Sequence, residues 1–118
     1  MSAFSTEELA YLDAAEFRLG RIATVGRDGT PHVVPVGWRY NADADAIDVG
    51  GHDLTRTKKF RDAERSGRAA IVIDDLPSTN PWRARAVEIR GRAEALLDPG
   101  PLIRIHPDRI VSWGLAEE

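Results

Sequence analysis

Residues 19–40 read LGRIATVGRDGTPHVVPVGWRY, and the turn in the middle of this stretch decides the kind of fold the chain can adopt. Leu19 to Val25 is short and rich in β-branched residues, the signature of a strand. Arg27-Asp28-Gly29-Thr30 follows, and its Asp-Gly pair is a strong hairpin signal. Pro31 then opens a second strand that runs to Tyr40. Its first half, His32-Val33-Val34-Pro35-Val36, is apolar on both faces, which predicts burial on both sides or cover by a ligand on one. Pro35 cannot donate to a ladder, so the strand must be an edge there, be bulged, or turn toward something other than a strand. A bound planar ligand suits that gap.

Upstream, Ser5 and Glu8 have capping-box spacing, and Leu9, Leu12 and Ala15 or Glu16 follow at helical intervals, so a helix is expected from Thr6 to Glu16, ending near Arg18. Downstream, Asn41 to Asp45 is a polar hairpin tip, and Ala46-Ile47-Asp48-Val49 is a third strand ending at Gly50-Gly51. A helix is expected from Thr55 to Ser66, with Leu54, Phe60 and Ala63 as its apolar stripe and Gly67 just past its end. Arg68 to Asp74 reads as a strand and Asp75 to Pro81 as a loop, from its two prolines and its polar content. Arg85 to Leu96 sets Val87, Ile89, Gly91, Ala93 and Ala95 against a charged face, the period of a long strand, kinked or bulged at Gly91. Asp98 to Pro101 is a turn. Leu102 to His106 and Ile110 to Trp113 read as two closing strands around Pro107-Asp108. Six or seven strands, two short helices and hairpin connections predict a mainly β fold, an antiparallel barrel or closed sheet in a single domain over residues 1–118.

The stretch Gly50 to Asp62, GGHDLTRTKKFRD, carries the strongest functional signal. Gly50 and Gly51 permit backbone shapes other residues avoid, Asp53 or Thr55 can cap the helix, and Arg56, Lys58 and Lys59 crowd its first turn. A helix N-terminus is partially positive, so cations there are unfavourable unless an anion offsets them. Backbone N–H groups, the Thr57 hydroxyl and the Lys58 and Lys59 ammonium groups would together form a phosphate site. The competing reading is a solvated basic helix start.

Composition narrows the chemistry. The 118 residues support one moderate core, and 16 basic against 19 acidic residues leave a net charge of −3, with no electrostatic footprint for nucleic acid or an anionic membrane. The absence of cysteine removes disulfides, thiolate nucleophiles and cysteine-held metal. The amino terminus lacks a basic and apolar leader pattern, and no segment approaches a membrane span, so a cytoplasmic protein is expected. His32, His52 and His106 lack metal-ligand spacing. His52 reads as a surface loop residue and His106 as structural. Asp74-Asp75 reads as a solvated turn rather than a cation site. Ser66, Ser78 and Ser112 have no nucleophile motif. Trp38 and Trp113 read as core or interface aromatics, and Trp82, at a loop end, is placed near a ligand. With no nucleophile, metal set or acid–base pair, an enzyme of this sequence needs a cofactor for the chemistry.

Six blocks in order resemble the pyridoxamine 5′-phosphate oxidase-like split β-barrel superfamily: Arg21 to Val36, Ile47 to His52, Thr57 to Asp62, Ala69 to Asp75, Val87 to Glu94 and Ile103 to Gly114. Within it the chain is similar to an actinobacterial branch of coenzyme F420-dependent oxidoreductases. The resemblance implies a homodimer with two flavin or deazaflavin sites at the subunit interface. It implies that Thr57, Lys58 and Lys59 hold the cofactor phosphate. His32, Val34, Pro35, Val36 and Gly37 would border the ring system and its sugar-like chain, and Gly50 and Gly51 would let the backbone approach. Hydride would move between the deazaflavin C5 and an enone-like small molecule, with no residue required as a covalent catalyst. The oxidases proper carry an arginine where this chain has Val33-Val34-Pro35, which argues against pyridoxamine phosphate oxidation and weakens FMN as the cofactor. The segment from Leu97 to Leu102 is shorter than the branch suggests, which bears on the substrate pocket. An FMN-dependent oxidoreductase and a non-catalytic flavin or deazaflavin binder remain the alternatives, since fold does not fix function.

Overall fold

The computed structural model describes residues 1–15 and 18–115. One seven-stranded antiparallel sheet, in the order β2-β1-β5-β6-β7-β4-β3, forms the molecule, with two short helices packed on it. The strands are β1 (Gly20–Val25), β2 (Pro31–Val36), β3 (Trp38–Asn41), β4 (Ala46–Val49), β5 (Arg68–Thr79), β6 (Trp82–Leu96) and β7 (Leu102–Trp113). The outermost strands, β2 and β3, are joined by the single residue Gly37. The sheet therefore curls until its two edges meet at one corner, the antiparallel barrel that the hairpin pattern predicts and the split form of it that the resemblance implies.

Each turn follows from its residues. Between β1 and β2, the Gly26 amide donates to the Thr30 carbonyl at 2.8 Å, and the Asp28 side chain accepts from the Thr30 amide at 3.0 Å. Gly29 takes the left-handed φ of +87° that the turn requires. Between β3 and β4, Asp45 has φ 52° and its carboxylate accepts from the Tyr40 hydroxyl, Ser2 Oγ and the Ala3 amide, which also ties down the start of the chain. The core is the inward row of the strands: Ile22, Ile47, Val49, Ile71, Ile73, Val87, Ile89, Ile103 and Ile105 are all at most 1 % exposed. On β6, Val87, Ile89, Gly91 and Ala93 face in, as the alternation predicts.

The first helix, α1 (Thr6–Ala14), starts with the predicted capping box: Ser5 Oγ accepts from the Glu8 amide and Glu8 Oε1 accepts from the Ser5 amide. The expected last residue, Glu16, lies outside the described residues. Glu8 also accepts from Ser112 Oγ at 2.6 Å, and the Tyr11 hydroxyl donates to Asp75 Oδ1 at 2.7 Å, so polar contacts fix the helix to β7 and β5. The second helix, α2, spans Lys58–Ser66 and follows a 3-10 turn at Leu54–Arg56. Leu54, Phe60 and Ala63 are buried as expected, and Gly67 closes the helix with φ +69°. The cap is Thr57, whose hydroxyl accepts from the Phe60 amide at 3.3 Å. Asp53 makes no side-chain cap bond, and Thr55 falls inside the 3-10 turn, so neither expected cap is used.

Three expectations about the strands are corrected. The long strand from His32 to Tyr40 is broken by Gly37 into β2 and β3, because the chain has to pass from one edge of the sheet to the other. Asp75 to Pro81 is no loop: β5 continues to Thr79 and turns through Asn80-Pro81 into β6, with Ser78 Oγ donating to the Pro81 carbonyl at 2.8 Å. An irregularity between Asp75 and Ser78 absorbs Pro77. The two closing strands are one strand, because the register between β6 and β7 shifts at Arg90/Gly91 and leaves Asp108 as the extra residue. The bend expected at Gly91 is there, and the added residue is on its partner.

Candidate functional site

The site residues named from sequence fall along β2 and at its two ends. In the β1–β2 register Gly20 faces Val36, Ile22 faces Val34 and Thr24 faces His32. Gly20, Ile22 and Thr24 are the inward residues of β1, so His32, Val34 and Val36 share the inner face. Only Val36 is buried there; Val34 is 39 % exposed. The strand read as apolar on both faces thus carries an inner face that the protein leaves half open, and Pro31, Val33 and Pro35 are exposed on the other. The structure settles the position of Pro35 as an edge. His32 Nε2 is buried and has no hydrogen-bond partner. Such an atom costs about 1–3 kcal/mol unless something bonds to it.

At the turn end of β2, Lys58 shares a concavity with Arg27, Arg61, Asp62, Glu64 and Arg65. Asp28 is held below the usual carboxylate range by its bonds from Thr30, with a smaller contribution from Lys58, so the helix start stands within reach of the hairpin turn. Beneath it, Asp62 is buried and accepts from Thr24 Oγ1 at 2.9 Å. Thr24 is the cross-strand neighbour of His32. Among the described residues neither Lys58 nor Lys59 has a hydrogen-bond or ion-pair partner. The Thr57 hydroxyl is already engaged, donating to the Leu54 carbonyl at 2.6 Å while it caps the helix. Its proton is therefore committed within the turn, and the anion donors on offer are the two ammonium groups and the first-turn amides.

At the other end, Gly37, Gly50 and Gly51 line one cavity together with Trp38, Arg39, Asp48, Pro101 and Leu102. Gly51 has φ +158°, a conformation that residues with a side chain rarely adopt, and no atom within 4 Å would meet a Cβ on Gly37 or Gly50. The short segment after Leu97 ends in this wall, through Pro101 and Leu102. Asp48 is bonded by Arg104 from Nε at 2.8 Å and from Nη2 at 3.1 Å, and by Asn41 at 3.0 Å. Burial raises its pKa, but these bonds outweigh it and hold the carboxyl below its ordinary range.

Trp82 is not part of either end. Ile73 on β5 pairs with Gly20 at the end of β1, and Trp82 pairs with Thr79, six residues further along β5. At the rise of a strand that places it roughly 20 Å beyond the barrel rim. It is 71 % exposed and lines a separate cavity with Pro77, Pro81, Arg83, Ala84, Arg85 and Gly114. Trp38 is half-buried and donates its indole N–H to the Arg18 carbonyl at 2.9 Å, whereas Trp113 is 48 % exposed. His52 is on the surface, beside Asp53, and His106 is bonded to Glu94 at 2.6 Å, so both follow the sequence reading.

The Asp74-Asp75 pair does not. Asp74 accepts from Arg21 at 2.5 Å, and Asp75 is a half-buried junction bonded by Arg85 at 3.0 and 2.6 Å, by Tyr11, and ion-paired to Arg18 at 3.3 Å. Arg85 first, then Tyr11, keep its carboxyl below the ordinary range against the opposing effect of burial. Burial and the bond to Asp75 push the Tyr11 hydroxyl up. Arg39 and the Arg104–Asp48 pair are the residues at the glycine cavity that sequence reasoning missed. Their alternation on β3, β4 and β7 signals only the face away from the apolar core, and the register alone aligns them.

A half-open apolar strand thus runs between the cations at the start of α2 and a glycine-walled cavity, on a split barrel. The profile described as pyridoxamine 5′-phosphate oxidase matches residues 6–112, and the chain belongs to that family. It is 41% identical over 121 residues, covering 95% of this chain and 84% of the relative, to a 5a,11a-dehydrotetracycline/5a,11a-dehydrooxytetracycline reductase from Streptomyces rimosus. Family and relative together make the protein an oxidoreductase. Among solved structures, a FAD-binding protein from Mycobacterium smegmatis superimposes with a TM-score of 0.69 at 20% identity, covering 96% of this chain and 97% of the other. An F420 reductase superimposes with a TM-score of 0.64 at 20% identity, covering 84% and 94%. Both share the fold. Among the described residues, no helix is long and apolar enough to cross a membrane.

Proposed function

We propose that the protein is a coenzyme F420-dependent reductase that works as a homodimer on an enone-like small molecule. The observation that carries this reading is β2. Its inner face is half open at Val34, its His32 Nε2 is buried without a partner, and Lys58 and Gly37 lie toward its opposite ends. An elongate cofactor with a phosphate at one end and a ring at the other fits such a rail. Lys58 and Lys59, with the first-turn amides of α2, would hold the phosphate. His32, Val34 and Val36 would flank the body of the cofactor and exclude water, Pro35 would border it through its backbone, and Gly37, Gly50 and Gly51 would admit the ring edge. The deazaflavin supplies a hydride at C5 when bound. The protein's own work is to orient it, and a proton can reach the substrate from solvent.

The reductase activity of the Streptomyces rimosus relative, which acts on dehydrotetracyclines by its name, supports an enone-like substrate. The hairpin bearing Trp82 supports the dimer: it extends beyond its own barrel, where it could close a partner's site. A flavin in place of the deazaflavin is favoured by the FAD-binding neighbour, and the two readings part in one experiment. Separate fluorescence titrations with F420 and FMN should give tighter binding of F420, followed by turnover of a dehydrotetracycline with reduced F420. Tighter FMN binding would replace the first reading with the second. Binding of F420 without any turnover of enone substrates would leave a carrier of the cofactor.

A further inference from the structure

We infer that Arg39 anchors the acidic group of an aromatic or enolic ring compound in the glycine-walled cavity. The inference rests on the oxidoreductase reading above and names the chemical class of its substrate.

Arg39 is directly opposite Asp48 on β4, and Asp48 is opposite Arg104 on β7. The three residues form a row across adjacent strands on one face of the sheet. Side chains so placed ordinarily pair with one another. Here Arg104 takes both oxygens of Asp48, and Asn41 donates to Oδ2 as well. Asp48, the carboxylate opposite Arg39, is thus already satisfied, and Arg39 acts on it only through space; Asp13 lines a cavity with Arg39 but has no ion pair with it among the described residues. Glu94, the next residue in the row beyond Arg104, is engaged with His106 at 2.6 Å and Arg92 at 3.7 Å. Among the described residues the Arg39 guanidinium has no hydrogen-bond partner. It stands at the edge of the sheet as a planar fork of donors, the group best suited to grip a carboxylate or enolate.

The surroundings choose the rest of the ligand. Arg39 and Trp38 line both the glycine-walled cavity and a second one formed with Leu9, Leu12, Asp13 and Tyr40. The first adds Pro101 and Leu102, so a cation stands among flat apolar surfaces, with glycines that let a ring approach the backbone. A phosphate would be served at the opposite end of β2, which spans six residues or roughly 20 Å. The acid met by Arg39 is therefore not the phosphate clamped at Lys58 and Lys59, and we assign it to the ring compound that enters this cavity beside the cofactor's ring edge.

The test uses 1-hydroxy-2-naphthoate as the acidic ring probe and 1-naphthol as its neutral counterpart, titrated by tryptophan quenching into the full-length protein and its Arg39→Leu, Arg39→Lys and Arg83→Leu variants. The naphthoate should bind the wild-type protein, and Arg39→Leu should weaken it by about tenfold or more, the scale of losing a charge-assisted bond. Arg39→Lys should fall between the two, and naphthol binding should change less than about twofold, since no charged bond is lost. Melting temperatures of the variants verify folding. Unchanged naphthoate affinity in Arg39→Leu, no naphthoate binding by the wild type, or an equal loss in Arg83→Leu would overturn the assignment. F420 titrated into the same proteins separates the two readings. A parallel loss of F420 in Arg39→Leu would make Arg39 a cofactor residue and overturn the substrate assignment, whereas failure of the wild type to bind F420 would count against the cofactor reading alone.

Discussion

Gly91 on β6 faces the backbone carbonyl of His106 on β7 so closely that a Cβ added to it would stand 1.8 Å from the carbonyl oxygen. The contact sits where the register between β6, the longest strand, and β7 shifts by one residue, with Asp108 bulged out. Backbone cannot yield there as the end of a flexible side chain could. Gly91→Ala should therefore cost about 3–5 kcal/mol, in the range of the most damaging single substitutions. Urea denaturation measures it, and a loss under about 1 kcal/mol would show that the bulge can relax.

The Asp75 junction makes a pH prediction. Its folded pKa lies below its unfolded one, chiefly because Arg85 bonds the charged form. Its contribution to stability is then complete above the unfolded carboxylate range and is lost as pH falls through the depressed folded value. Asp75→Asn should cost about 2–3 kcal/mol near neutral pH, from weakened charged hydrogen bonds to Arg85 and Tyr11. It should also flatten the acid side of the stability curve below about pH 4, where an ordinary aspartate protonates. Urea midpoints measured across that range for both proteins decide it. Parallel acid limbs would locate the acid sensitivity at another carboxylate.

For the phosphate clamp, Lys59→Ala should lower cofactor affinity by about tenfold to a hundredfold, the loss of one charge-assisted bond. Lys58→Ala should have an effect of the same kind. Neither ammonium has a bonding partner among the described residues, so the melting temperature should stay within a few degrees. Wild-type affinity in both variants would mean that the cations are merely solvated, the reading the sequence left open.

Thr57 tests the division of labour in that turn. Its hydroxyl caps α2 and donates to Leu54, so Thr57→Ala should cost about 1 kcal/mol of stability and leave cofactor affinity within about threefold, since no phosphate bond would go with it. A large loss of affinity at unchanged stability would show that the hydroxyl turns toward the ligand.

Trp82 offers the opposite profile. It is 71 % exposed, so Trp82→Ala should change stability by no more than about 0.5 kcal/mol. If its hairpin closes a partner's site, F420 affinity should fall by about fivefold or more, as for an aromatic contact of about 1 kcal/mol or more. Unchanged affinity would remove Trp82 from the cofactor site.

Much of this architecture was legible because the hairpin turns are local. Asp28-Gly29 and the Asn41 to Asp45 tip carry their own chemistry in a few residues, and the alternation along β6 declares its inner face. What could not be read lay in register. Pro77 and Pro81 look like loop residues until the pairing of Thr79 with Trp82 is known. Pro107-Asp108 looks like a turn until Gly91 is seen to make room for a bulge. The expectation of a phosphate clamp came from two glycines and misplaced cations; the cap of the helix beneath it is Thr57 and not Asp53 or Thr55. Arg39 was invisible, because its meaning depends on Asp48 having been taken by a residue 56 positions from it in sequence.

The prolines of β2 have a further consequence, for the fate of an open strand edge. Pro31, Val33 and Pro35 share one parity along the strand, and β1 pairs continuously with it. A ladder tolerates two prolines only where the missing N–H groups point away from the partner strand. The outward row of β2 therefore has a single amide, that of Val33, between two positions with none. An arriving strand from a misfolded or crowded neighbour would find acceptors but almost no donors. The protein can leave this apolar edge strand uncovered without offering a template for fibres.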